Sequence, residues 1–208
     1  MLTTMFGQTP ESHDRSAGRS FAGSVNLAGW LRDRSPGVAE RWAEGLLSGG
    51  GSWEGGADAV LRPFSRGLVS FLPAMLTPIR AEIVPLWSEC AELYGSVAAR
   101  RGLSAGEVIE EFHLLREVIL RMMFERPPVR PGATLPFREV LLLNRALDIG
   151  VTQASVGHTD LLFFSLLHGS GSPPPLGRKE LDEVSGQIRA LQLEQQRIVR
   201  HAARVQPK

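Results

Sequence analysis

Five side chains near the middle of the chain are of the types from which a ligand pocket, a switch or a buried ionic network can be built: His113, Arg116, Asn144, Asp148 and His158. Arg116 is the most informative of them. It falls inside an apolar helical stripe, where a guanidinium must find a partner or reach water. At about 100° per residue, Val108, Phe112, Leu115, Ile119, Met122 and Met123 form that stripe, while Glu107, Glu110, Glu117 and Arg121 point away from it. On a later helix, His158 shares the core stripe of Val140, Leu143, Leu147, Val151, Ala154, Leu162 and Ser165, with Asn144, Asp148 and Ser155 along its edge. These polar groups are the natural partners for Arg116. Arg116 is therefore expected to be largely buried against Asp148 or an equivalent group, as a salt bridge that fixes helix register. The competing reading places Arg116, His113, Asp148 and His158 around a small ligand.

No spacing in the chain spells out a reaction. There is no Ser-His-Asp signature, no phosphate-cradling glycine loop and no paired-carboxylate motif, so no catalytic residue is assigned and no enzyme is expected. The histidines lack metal-ligand spacing on a shared helix, so neither a metal nor a cofactor is assigned. Cys90 sits on the stripe Ile83, Trp87, Cys90, Tyr94 and Val97, spaced four, three, four and three, and reads as a small buried hydrophobe.

The elements that must position these residues are helices. Ser104 and Glu107 form a capping box at the start of a helix that runs to Phe124 and is stopped by Pro127 and Pro128. Before it, a helix is expected from about Ile79 to Arg101, with Gly102 as its stop and Arg100 and Arg101 set against the negative end of its dipole. Another is expected from about Ala57 to Met75, interrupted or bent near Pro63 and Pro73. The first helical segment, from Ser24, is expected to break at Ser35 and Pro36 and to restart there, with Val38, Trp42, Leu46 and Leu47 on its face. Residues 48–56, SGGGSWEGG, read as a flexible connection whose Trp53 folds back over the core. A long helix is expected from Phe137 to about Leu167.

Residues 1–23 show no periodicity and are expected to be a disordered tail, ahead of an all-helical domain over 24–168. Residues 169–178 read as a linker of Gly, Ser and Pro. Over 179–208, Leu181, Val184, Ile188, Leu191, Gln195, Ile198, Ala202 and Val205 alternate by three and four, as the seam of a coiled coil does. A parallel homodimer is the expected use of that seam, because it sets Gln195 opposite Gln195; the linker also permits packing back onto the bundle.

The 208 residues carry a net charge of +1 with 43% hydrophobic content, enough for a core but without the basic face that nucleic-acid binding needs. One cysteine excludes an internal disulfide, and no apolar run spans a membrane or forms a leader. A cytoplasmic protein is the expectation.

The segment RRGLSAGEVIEEFHLLREVILRMM (Arg100 to Met123), preceded by Ala39 to Trp42 (AERW) and followed by Leu143 to Asp148 (LNRALD), resembles the RsbRD-type amino-terminal domain of RsbT co-antagonists in stressosomes, which also precedes bacterial histidine kinases. The resemblance covers roughly Val25 to Leu167. It implies an all-α, globin-like or helical-bundle sensory domain that dimerises and passes a signal through a carboxy-terminal helix. A kinase or stress-signalling component is the partner it implies, with a small-ligand or haem-binding sensor as the alternative. His201 in VRHAARV lacks the acidic and proline neighbours of a kinase phospho-acceptor segment, and no ATP-binding glycine box is present.

Overall fold

The computed structural model describes residues 26–48, 58–129, 137–169, 171, 173–174 and 176–205. The expected tail and Trp53 lie outside them. Six helices and no strand occur among the described residues: α1 (Leu27–Ser48), α2 (Asp58–Met75), α3 (Arg80–Arg100), α4 (Ala105–Glu125), α5 (Phe137–Leu167) and α6 (Arg178–Val205). The fold is all-α.

The expected break at Ser35 and Pro36 is absent, because α1 runs through it as one helix. An interior proline costs about 3 kcal/mol. Here Leu27 and Leu31 before it and Val38, Trp42 and Ala43 after it are all buried on one continuous face, which offsets that cost. Ser35 Oγ donates to the Leu31 carbonyl at 2.8 Å, occupying the turn beside the missing amide.

The α3–α4 corner is fixed by sequence chemistry at both ends. Gly102, with φ +78°, lets the Leu103 amide reach the Ala98 carbonyl at 3.1 Å and its own amide reach Ala99 at 3.0 Å, the paired closure of a Schellman motif. Two residues later Ser104 caps α4: the Glu107 amide donates to Ser104 Oγ at 3.3 Å and the Ser104 amide donates to Glu107 Oε2 at 2.7 Å. Those bonds to Ser104 hold the Glu107 carboxyl below its ordinary range.

Helices α3 and α5 form the central pair, with α2 beside α3 and α4 beside α5, α1 spanning α2 and α4, and α6 laid over α2 and α3. The crossing of α3 on α5 is unusually close. A Cβ at Gly95 would stand 1.8 Å from the Ala154 carbonyl oxygen, and one at Gly157 would stand 2.1 Å from that of Glu92. Around the crossing, Trp42, Phe64, Tyr94 and Phe112 interlock, with Tyr94 stacked on Trp42 at 5.5 Å and meeting the edges of Phe64 and Phe112 at 5.3 and 5.4 Å.

Candidate functional site

Two polar assemblies lie inside this bundle. The first is at the α3–α4 corner. Arg101, whose side chain is 2% exposed, grips Glu111 with two nitrogens at 3.0 and 3.3 Å, and the Tyr94 hydroxyl donates to Glu111 Oε2 at 2.6 Å. Trp42 Nε1 donates to the Glu111 backbone carbonyl at 2.8 Å, so α1, α3 and α4 converge on one residue. Burial, and then the neighbouring Glu111 carboxylate, push the Tyr94 phenol well above its ordinary range. A carboxylate engaged by Arg and Tyr in this way ties the corner together.

Of the five residues singled out by type and spacing, the structure brings Arg116 and Asp148 together and leaves the others apart. Arg116 donates to Asp148 across the α4–α5 seam. The expected burial is not observed, since the two side chains are 28% and 63% exposed. The stripe that holds Arg116 ends at its own edge there, and a guanidinium on a three-carbon stem reaches water past it. Arg116→Ala should therefore shift the unfolding free energy by about 0–1 kcal/mol, the range for exposed pairs; a urea titration showing a loss above 3 kcal/mol would contradict that. His113 is exposed beside Glu110 on α4, 3.8 Å from it. Asn144 donates back to the Val140 carbonyl of its own helix at 3.0 Å.

His158 is buried, and its Nε2 lies 2.7 Å from the Leu103 carbonyl. A carbonyl only accepts, so Nε2 is the donor in this contact. His158 thus ties α5 to the corner that Arg101 and Glu111 hold. Among the described residues no group of three or more His, Cys, Asp or Glu is placed to hold a metal ion. Cys90 is fully buried, and desolvation with Glu89 nearby raises its thiol to about 12, which removes the thiolate needed for reactivity.

The second assembly is the seat of α6. The seam expected to face a second chain faces this bundle instead: Val184, Ile188, Leu191 and Gln195 are buried against α2 and α3. Gln195, the polar residue of the seam, donates through Nε2 to the Ser70 carbonyl at 2.7 Å, and Ser70 Oγ lies 3.4 Å from Gln195 Oε1. One turn away Gly67 provides the notch for Ile188, whose Cγ2 stands 2.4 Å from where a Cβ on Gly67 would be. Leu181 and Ile198 are half-buried at the two ends of the seam, Ala202 is half-buried beyond it, and Val205 is exposed. Two open grooves flank the distal half of α6, one of about 620 Å³ between it and Pro78, Ile79 and Glu82, the other of about 480 Å³ between it and Arg32, Pro36 and Pro73. The attachment is thin for the helix's length. Four of the 28 residues of α6 are buried, against nine of 21 in α3.

Arg101, Glu111, Gly67 and Ser70 were not singled out by sequence as site residues. Glu111 lies about 60° from Val108 on the α4 wheel, at the margin of the apolar stripe, and that placement beside a residue pair Arg100-Arg101 was the available signal. Gly67 and Ser70 are three apart on a helix otherwise apolar on that face, the spacing of a notch and a hydrogen-bonding step.

No helix among the described residues is long and apolar enough to cross a membrane. Comparison with curated proteins and with solved structures finds no match. Residues 36–161, more than half of the chain, match a family described as the RsbT co-antagonist protein rsbRD N-terminal domain. The matched span runs from the proline of α1 to the last third of α5 and contains both the capped corner and the notch that seats α6. The chain belongs to the family of RsbT co-antagonist protein rsbRD N-terminal domains.

Proposed function

We propose that this protein is a non-catalytic signalling domain whose output element is α6. In the docked state the seam is occupied by the bundle; in the released state the same seam engages a protein partner, such as a kinase or another stress-signalling component, or pairs with α6 of a second copy as a parallel coil. The observation that carries this reading is that one set of residues, Val184, Ile188, Leu191 and Gln195, has both the heptad spacing of a coil and an intramolecular seat. The two uses exclude each other, which gives a two-state element that a signal in the bundle can bias. Membership of a stressosome-related family supports a regulatory role.

Gly67→Leu tests the switch without altering α6. The new side chain fills the notch taken by Ile188, so α6 should leave the bundle while α1 to α5 remain folded. Trypsin should then cut Gly67→Leu faster than the parent at Arg189, Arg197 and Arg200, and Ile188→Ala in the same chain should restore protection by vacating the notch. Parent-like cleavage in Gly67→Leu, or cleavage that spreads equally through α3 and α5, would sink the reading.

A further inference from the structure

The two grooves beside the distal half of α6 differ in charge. The one against α3 is lined by Glu82 and Glu194 as well as Arg197, so its charges are mixed. The other, of about 480 Å³, is lined by Arg32 and Arg200 and by no carboxylate. Its floor is α2, through the buried Pro73 and Ala74, and its walls are α1 and α6, through Pro36 and Val199. An apolar floor, a few polar groups and a volume within roughly 300–1,000 Å³ are the make-up of small-molecule sites. Arg32 stands on one wall and Arg200 on the other, and neither reaches a carboxylate of any described residue. Arg200 donates through Nε to the Gln196 carbonyl at 3.1 Å, and its two terminal nitrogens have no described partner. No Asp or Glu follows Glu194 in α6, whereas Arg197, Arg200 and Arg204 do, so the field at this end of the helix is positive. Two like charges set on either side of an apolar trough are balanced by an anion between them.

We propose that this groove binds a small organic anion, a planar apolar body carrying one carboxylate, and that the ligand holds α6 in its docked state. The body lies on Pro73 and Ala74, and the carboxylate accepts from Arg32 and Arg200. A guanidinium suits both parts of such a ligand, because its paired donors match the two carboxylate oxygens and its plane stacks on a flat ring. One wall of the site is α6 itself, so both arginines meet the ligand only while α6 is docked. A ligand that prefers one of two states shifts the population toward it. Gln195 and Ser70, whose hydrogen bond pins the seam, line the same groove, so the ligand also shields that bond from water. The proposal rests on the reading of α6 as a releasable output helix and names the chemistry that regulates its release.

The test uses the full chain with 1-naphthoate as the probe and its neutral amide as the control, binding being read by saturation-transfer NMR. Naphthoate should bind, and the amide at least about tenfold more weakly, because it has the body without the charge. Arg32→Gln and Arg200→Gln should each weaken naphthoate by about tenfold with helix content unchanged by circular dichroism. At about ten times its Kd, naphthoate should make opening of α6 about tenfold rarer, so trypsin should cut the parent after Arg189 and Arg197 about tenfold more slowly. The same concentration should protect Arg32→Gln little. No binding, equal binding of the amide, or binding at parent strength in both arginine variants overturns the site. Binding through both arginines with no slowing of cleavage overturns its hold on α6. Failure of the output-helix reading is a separate result, seen without ligand as parent-like cleavage of Gly67→Leu.

Discussion

Glu111→Ala should destabilise the fold by about 3–5 kcal/mol, the cost of breaking a buried ion pair by removing one member. Arg101, 2% exposed, would lose both of its bonds to Glu111, and the Tyr94 hydroxyl would lose its acceptor. Exchanging the whole set together, Arg101→Met with Glu111→Leu and Tyr94→Phe, should recover most of the loss, since apolar groups of similar volume leave no buried polar group of the set unpaired. Urea midpoints of the three proteins check this; a Glu111→Ala loss under 1 kcal/mol would show that the corner is solvated in solution. The same corner sets an alkaline limit. Burial and Glu111 raise the Tyr94 phenol, so above about pH 10 the unfolded chain has lost a proton that the native state retains, and stability falls as pH rises past that point. Cys90, raised from 9.0 to about 12, acts in the same direction over that interval.

Gly95→Ala and Gly157→Ala should be of comparable severity. Alanine is favoured over glycine within a helix by about 1 kcal/mol, so any loss must come from the contact between helices. At both positions the new methyl would meet backbone at 1.8 and 2.1 Å, where no side chain can swing aside, and α5 must move off α3. A net loss of about 3 kcal/mol or more is expected, the upper end of overpacking. Gly186→Ala is the internal control, with nothing within 4 Å of its added methyl, and should be stabilising by about 0.5–1 kcal/mol. Thermal melts in which Gly95→Ala matches Gly186→Ala would refute the close crossing.

Local chemistry was legible in the sequence and its tertiary use was not. The box of Ser104 and Glu107 and the stop at Gly102 involve residues within a few positions of one another, and both stand where the sequence placed them. Pro36 shows the limit of such signals: a local preference to break yielded to a buried face continuous on both sides of it. Arg116 shows another, because a helical wheel places a residue on a stripe without saying where the neighbouring helix ends. The pairing of Arg101 with Glu111 depends on how sharply two helices fold back on each other, a quantity that periodicity does not contain. The seam of α6 was readable as a seam. Which surface it meets was not, since heptad spacing describes one side of a contact, and Gly67 and Ser70 became visible as the other side only in three dimensions.

The most direct test is native-state hydrogen exchange on α6 in the parent and in Gly67→Leu. Segments that open independently of the global unfolding reveal themselves by a lower opening free energy. In the parent, amides from Val184 to Gln195 should be protected, but measurably less than those of α3 and α5. In Gly67→Leu that protection should be lost from α6 while α3 and α5 keep theirs. Exchange of α6 at the same rate as α3 and α5, with all three shifting together in Gly67→Leu, would mean that α6 is a fixed part of the core and would contradict its role as a releasable output helix.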